Sequence, residues 1–497
     1  MHKIRSRTAA GATILVASRL ITRCIDLGTL VILGRLLSPA DFGVVAIAMS
    51  VIAIVEAIME LPLGLALVAL PTRTEEHYAT AFTLQLVRGL LLAVILLALA
   101  WPIARIYNDP RLLWLLCALG VAPIARGLSS AKIVEYTMNF QFLPNLIMEV
   151  FGKLVSLVLS VSLAWLTKSY WALAIGTIAT PIAMLVTSYC YAPYLPTISL
   201  SKWRDFVVYL RWTTASQAVT ALVWQMDQLM LGRFVDRVEL GRFSMAANLS
   251  VLPTQIFVAQ IVNPLTVAFA SVREDLARLR GAYQKSANSI VAIGLPIMVG
   301  MSVNAEPIIR LVVGEKWLAA APILRWLSLA MIPGFFVGPI SPLAITLNRT
   351  SIFLRLIVVE LCIKFPLMLI GLIYYGVMGV VASRVITALA IAGCTMLFVR
   401  ELIGLRIRDQ VFGPWRSLLS SVVMALGIAL FQSLIASGPG LAQLILYLAI
   451  VVSIGAVVYV GSMFSLWLLA GRPDGLEFDV MQLLTAYAHR FRRVSAN

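Results

Sequence analysis

Charge is scarce in this 497-residue chain. Asp, Glu, Lys and Arg make up 12% of it and hydrophobic residues 61%, where a soluble domain carries roughly 25% charged residues. That scarcity excludes the water-soluble globular class. A spanning helix takes about 20 apolar residues, so little is left for a sizeable extramembrane catalytic domain. Histidine occurs three times (His2, His77, His489), always outside the apolar runs, and no histidine metal or catalytic cluster is visible. The five cysteines, Cys24, Cys117, Cys190, Cys362 and Cys394, lie inside apolar segments without metal-site spacing, and buried, inert thiols are expected. The net charge of +16 is scattered between apolar runs instead of forming a patch, which argues against a nucleic-acid partner. No cofactor is implied.

What is present is a succession of apolar runs separated by short loops. Fourteen are read: 10–33, 42–69, 79–104, 112–127, 142–166, 171–193, 206–231, 241–268, 286–308, 321–345, 352–374, 377–399, 415–436 and 441–470. The expected fold class is therefore an all-α polytopic membrane protein of about 14 transmembrane helices. Lys3, Arg5 and Arg7 precede the first run in the manner of a signal peptide. Arg19, Arg23 and Asp26 interrupt that run, however, and it continues to Leu33, so it reads as a retained spanning helix. Orientation follows from the loop cations. With the N-terminus inside, 22 Lys and Arg fall in cytoplasmic loops and tails and 8 outside: Arg35, Arg105, Arg111, Lys168, Arg233, Arg237, Arg310 and Lys316. Both termini are expected to be cytoplasmic, with the densest inner loops at Arg273–Lys285 and Arg400–Arg416.

The chain also echoes itself. Leu33-Gly34-Arg35 with Gly43 recurs 198 residues later as Leu231-Gly232-Arg233 with Gly241, and Asp41 meets Glu239. Glu149 and Lys153 recur 211 residues on as Glu360 and Lys364. Two matches in the same order predict two six-helix halves, 1–200 and 201–402, with two extra spans and a cytoplasmic tail in 403–497. Six is even, so the halves share one orientation and form parallel-repeat lobes, an arrangement suited to a central cavity.

Ionisable side chains inside the spans carry the candidate chemistry. Each costs about 3 kcal/mol on the insertion scale if left to lipid, so most must pair, snorkel or face a cavity. Arg19, Arg23 and Asp26 lie at i, i+4 and i+7, a cationic stripe with one counter-charge on the first helix. Glu149–Lys153 and Glu360–Lys364 have the spacing of intrahelical ion pairs, and their recurrence makes Lys153 and Lys364 cavity candidates. Arg88 and Arg384 have no acid within four residues and should reach a distant carboxylate or a ligand. Glu56 and Glu60, one turn apart before Pro62, form with Asp26 the candidate ion-coupling group, since two neighbouring carboxylates raise one pKa. The candidate anion-binding residues are Arg19, Arg23, Arg88, Lys153, Lys364 and Arg384.

Three stretches carry a family resemblance: Leu36–Gly43 (LLSPADFG), Asn263–Tyr283 (NPLTVAFASVREDLARLRGAY) and Ala305–Ala330 (AEPIIRLVVGEKWLAAAPILRWLSLA). They resemble the bacterial polysaccharide and O-antigen flippases of the multidrug/oligosaccharidyl-lipid/polysaccharide exporter superfamily, in particular the colanic-acid and exopolysaccharide export branch. The resemblance implies two six-helix lobes around a cationic cavity in the bacterial inner membrane. It implies as substrate an undecaprenyl-pyrophosphate-linked oligosaccharide carried to the periplasmic leaflet. Membrane lipid and polysaccharide polymerase or export machinery are the implied partners, and a monomer is expected. A pyrophosphate needs fixed cations, which the arginines above would supply. The two last spans would form a groove for the lipid tail, as in the related lipid II flippases. Three alternatives stay open. A drug/cation antiporter of the same superfamily would want an anionic cavity. A membrane polysaccharide polymerase would want a large outer loop. A peptidoglycan lipid II flippase would differ mainly in substrate.

Overall fold

Ser38 shows how the sequence starts these helices. Its hydroxyl accepts from the Asp41 amide at 3.3 Å, and the Asp41 carboxylate accepts from the Ser38 amide at 3.0 Å. Pro39 takes the first helical position, where a missing N–H has no partner to lose. Asp275 does the same work further on, accepting from the amides of Ala277 and Arg278.

The structure, a computed structural model, describes residues 2–61, 63–70, 73–139, 141–210, 214–262, 264–434, 440–472, 477–478 and 481–482. Among them the secondary structure is entirely helical. Two compact units form, one of Met1–Met245 with Val312–Trp317, the other of Ala246–Leu311 with Leu318–Asn497. The first holds α1 (His2–Leu36), α2 (Pro39–Ile58), α3 (Leu63–Ala69), α4 (Glu75–Ile106), α5 (Arg111–Leu119), α6 (Val121–Gly127), α7 (Val134–Met138), α8 (Leu143–Thr167), α9 (Trp171–Tyr191), α10 (Trp203–Leu210), α11 (Thr214–Phe234) and the start of α12 (Arg237–Pro253). The second holds α13 (Ala259–Val262), α14 (Leu265–Ala270), α15 (Leu276–Val303), α16 (Ala305–Val312, its last residue lying in the first unit), α17 (Ala321–Phe336), α18 (Ile340–Thr346), α19 (Ser351–Ile403), α20 (Ile407–Phe412), α21 (Trp415–Leu434) and α22 (Leu441–Leu469).

Ten helical segments among the described residues are long and apolar enough to cross a membrane, or eleven if one bent pair is a single span, so the chain is a multi-pass membrane protein. Four places separate ten from the fourteen expected runs. α1 carries Arg19, Arg23 and Asp26, and α11 carries Gln217, Gln225, Asp227 and Gln228, which lowers their apolar content. The run at 112–127 is broken: Arg111–Gly127 and Ala131–Met138 meet at 60°. The runs 352–374 and 377–399 are joined in one helical stretch of 53 residues. At 1.5 Å per residue that stretch would be about 80 Å long, well beyond a hydrocarbon core of about 30 Å. It turns instead at Gly376, whose φ of 58° and ψ of −137° suit glycine. Gly371 and Gly379 lie back to back beside the turn, so close that a Cβ on Gly379 would overlap the Gly371 carbonyl.

Lipid gives no hydrophobic drive to helix pairing, so contact depends on small residues and close packing. The pairing of α8 with α9 shows it: Gly152, Ser160 and Ala164 face Ala172, Gly176, Ala179 and Ala183, all buried, and the Ser156 hydroxyl donates to the Gly176 carbonyl at 2.6 Å. The cysteines correct one expectation. Cys24, Cys190 and Cys362 are exposed on helix surfaces, because an apolar face toward lipid is as suitable for a thiol as a protein core.

Candidate functional site

α1 lies along α8, and the ionisable groups of the two helices meet. Lys153 donates to Asp26 at 2.5 Å, Arg23 lies 3.7 Å from the same carboxylate, and the Ser18 hydroxyl donates to Glu149 at 3.4 Å. Two cations thus share one carboxylate, the side chains 30 to 42% exposed, and with Arg19 and Glu149 of the same two helices counted, three cations stand against two acids. Lys153 therefore does not pair with Glu149 along its own helix. Geometry across the helix contact offers a shorter, better-aligned partner than the i, i+4 spacing. Arg19 stands exposed one turn before Arg23 and carries no ion pair among the described residues.

A second cluster closes the end of α2. That helix stops at Ile58, before Pro62, which lies outside the described residues. Its terminal carbonyls are taken up by Arg88, which donates to Met59 at 2.6 Å and to Glu56 at 3.4 Å. Arg88 so reaches a helix C-terminus, where a cation is favoured by the helix dipole. The Glu56 carboxylate pairs with Arg126 of α6. Gly89 and Gly127 bring this about: each lies against backbone of the facing helix, a Cβ on Gly89 falling 2.6 Å from the Pro123 carbonyl and one on Gly127 2.7 Å from that of Gln85. α4 and α6 thus approach closely enough to converge Arg88 and Arg126 on Glu56. Glu60 follows the helix end and is exposed, so the two carboxylates do not stack on one helical turn. The sequence gives no sign of Arg126, because no acid stands within four residues of it and its partner lies 70 residues back.

The repeat detected in the sequence meets itself inside the first unit. Gly43 faces the Arg237 carbonyl and Gly241 faces the Pro39 carbonyl, each so tightly that a Cβ would overlap it. Gly34 packs on Met245, and Gly232 packs on Ile47. The contacts form two pairs, and the 198-residue shift turns one member of each pair into the other. Two turns add further clamps. Trp317 donates its indole N–H to the Gly34 carbonyl at 2.8 Å and Lys316 donates to that of Arg35 at 2.8 Å. The Tyr107 hydroxyl donates to the Leu229 carbonyl at 3.0 Å.

The second clamp is tied by charge. Asp109, buried in the turn between α4 and α5, accepts from Arg111 at 2.9 and 2.9 Å and from Arg237 at 3.1 Å. Arg237 further donates to the carbonyls of Gly232 at 2.5 Å and Tyr107 at 2.6 Å. Burial alone would raise the Asp109 pKa, but the hydrogen bonds from Arg111 and Arg237 hold it below the ordinary carboxylate range. A cavity of about 600 Å³ lies here, lined by Tyr107, Asp109, Arg111, Arg233, Asp236 and Arg237 among others. In the sequence these arginines count only toward orientation; the signal that could have found Arg233 and Arg237 is the repeated L-G-R, which ends in the one and precedes the other by four residues, and for Arg111 it is Asp109 two residues before it.

In the second unit the α19 turn places Lys364 and Arg384 on its two arms. Lys364 lies seven residues before Gly371 and Arg384 five after Gly379, so they stand about 10 and 8 Å from the crossing. Lys364 is buried and Arg384 half-buried, and neither they nor Glu360 stand without a partner.

These features define the class: a multi-pass membrane protein, helical throughout its described residues, with charged clusters held between its helices. The fold is similar to that of the lipid II flippase MurJ in an inward closed conformation, with a TM-score of 0.74 and 16% identity over 91% of this chain and 99% of that one. Residues 32–322 match the family described as polysaccharide biosynthesis protein, and the chain belongs to that family. Among curated relatives, the lipopolysaccharide biosynthesis protein WzxC of Escherichia coli is 23% identical over 86% of this chain and 89% of its own length. The succinoglycan biosynthesis transport protein ExoT of Rhizobium meliloti is 25% identical over 61% of this chain and 62% of its own.

Proposed function

We propose that the chain is a flippase that moves undecaprenyl-pyrophosphate-linked oligosaccharide repeat units from the cytoplasmic to the periplasmic leaflet of the bacterial inner membrane. The cargo would serve exopolysaccharide or lipopolysaccharide biosynthesis. The observation that carries the reading is the Arg23–Asp26–Lys153 cluster, two cations on one carboxylate, which with Arg19 and Glu149 leaves one positive charge in excess along two helices of a multi-pass membrane protein that belongs to a polysaccharide biosynthesis family. Intramembrane charge is costly, and a cationic surplus is matched by an anionic headgroup. A relative named as a succinoglycan biosynthesis transport protein supports movement of glycan over its chemical synthesis.

The finer arrangement belongs to the same proposal. The spans number fourteen, both termini are cytoplasmic, two six-helix lobes (1–200 and 201–402) enclose a cavity, and 403–497 adds the last two spans and a tail. Arg19, Arg23, Arg88, Lys153, Lys364 and Arg384 bind the pyrophosphate and its sugars, while Asp26, Glu56 and Glu60 take part in ion coupling. Peptidoglycan lipid II is the second cargo considered, favoured by the likeness of the fold to MurJ.

The test is depletion in the native host. Sugar repeat units on polyprenyl lipid should accumulate on the cytoplasmic face while surface polysaccharide disappears. Accumulation of peptidoglycan precursor instead would transfer the reading to lipid II. Unchanged polysaccharide together with raised drug sensitivity would overturn both.

A further inference from the structure

A polar pocket of about 340 Å³ in the second unit shares no residue with the clusters described above. α15 contributes Gln284, Lys285 and Asn288 from one face, at i, i+1 and i+4. The turn at Gly413–Pro414 and the first residues of α21 supply Arg416 and Ser417. Glycine is required at 413, since a Cβ there would lie 2.5 Å from the Asp409 carbonyl and 3.0 Å from the Asn288 amide oxygen. The side-chain amide of Gln284 donates to the Asp409 carbonyl at 3.3 Å, fixing the turn against α15.

The decisive contact is with the tail. Glu477 sets its carboxylate 2.9 Å from the Arg416 guanidinium, with the arginine side chain 14% exposed and the glutamate 6%. A buried carboxylate on a half-buried arginine marks a place already shaped for an oxyanion. The positive end of the α21 dipole and the Lys285 ammonium add to it. The pocket lies between the loops richest in cations, Arg273–Lys285 and Arg400–Arg416, which the proposed topology puts at the cytoplasmic face. Basic pockets at that depth between spanning helices suit phosphate headgroups.

We propose that this pocket binds a phosphate ester, with Arg416 and Lys285 as its cationic ligands and Glu477 as a built-in competitor that occupies it when no ligand is present. None of its lining residues is among those proposed to bind the transported headgroup.

The full chain, purified and exposed to equal amounts of phosphatidylglycerol and phosphatidylcholine, tests this by native mass spectrometry of the retained lipid. The wild type should prefer phosphatidylglycerol. Arg416→Gln should lower that preference about tenfold, the loss of roughly one charge-assisted contact, and Glu477→Gln should raise it several-fold. If Arg416→Gln fails to fold, Lys285→Gln, at an exposed position, carries the same expectation. Displacement by millimolar inorganic phosphate assigns the site to the free anion; resistance to it assigns the site to the lipid headgroup. Wild-type preference in both cation variants, or a lowered preference in Glu477→Gln, overturns the proposal.

Discussion

Gly43 and Gly241 stand 198 residues apart in sequence, and each lies against the first-turn carbonyl of the other's helix, Gly43 on Arg237 and Gly241 on Pro39. The two positions are copies of each other in the internal repeat, so the sequence symmetry has become a symmetric contact between α2 and α12. A methyl group at either site meets backbone, which cannot rotate away as a side chain can. Gly43→Ala or Gly241→Ala should therefore cost about 1–3 kcal/mol, as overpacking does. The lower melting temperature should be accompanied by faster labelling of a cysteine introduced at Ser38. An unchanged melting temperature and labelling rate would show that the two helices part without cost.

The Asp109 tie should be visible as a pH dependence. A carboxyl held below its ordinary range contributes stability above its unfolded pKa, about 3.9. That stability is lost as pH falls through the folded value. Asp109→Asn should destabilise the protein at neutral pH by about 3 kcal/mol, because it leaves Arg237 buried without its counter-charge. Melting curves of this variant should lack the acid-side decline that the wild type shows. Parallel curves for the two proteins below pH 4 would remove Asp109 from the account.

The Asp26–Lys153 pair separates folding from transport. Asp26→Asn or Lys153→Gln each breaks the pair, and each should reduce surface polysaccharide by at least about tenfold, the effect of losing one charge-assisted contact. Exchanging the two residues, Asp26→Lys with Lys153→Asp, should recover the melting temperature without recovering export. Export restored by the exchange would make the pair structural.

Gly376 sets the turn that divides α19. Gly376→Ala places a side chain in a backbone conformation that costs about 1–3 kcal/mol. Gly379→Leu should be worse, since its side chain would meet the backbone at Gly371. Thermal melting of both variants checks the order, and a Gly376→Ala protein as stable as the wild type would contradict the strained turn.

The positions of the helices were legible because each apolar run carries its own length and its own stops. Ser38-Pro39 and Asp275 announce helix starts by local chemistry. The recurrence of L-G-R and glycine was also legible, though not that the two copies would touch. Pairings across helices were not. Glu149 and Lys153 have the spacing of an intrahelical bridge, and only the packing of α1 on α8 shows Lys153 reaching Asp26 and Glu149 taking Ser18. Arg88 had no acid nearby in sequence, and its partners are backbone carbonyls at a helix end, which carry no sequence signal. Arg111 and Arg237 were visible only as loop charges, because the acid that joins them is specified by how two turns meet.

The most direct measurement uses the purified chain in liposomes loaded with a polyprenyl-pyrophosphate-linked oligosaccharide on one leaflet, with the glycan scored from the other side by a membrane-impermeant glycosidase. The wild type should carry the glycan across, and Arg23→Ala and Lys153→Ala should not. Liposomes in which the glycan stays where it was placed, while a cationic drug is carried, would contradict the central claim.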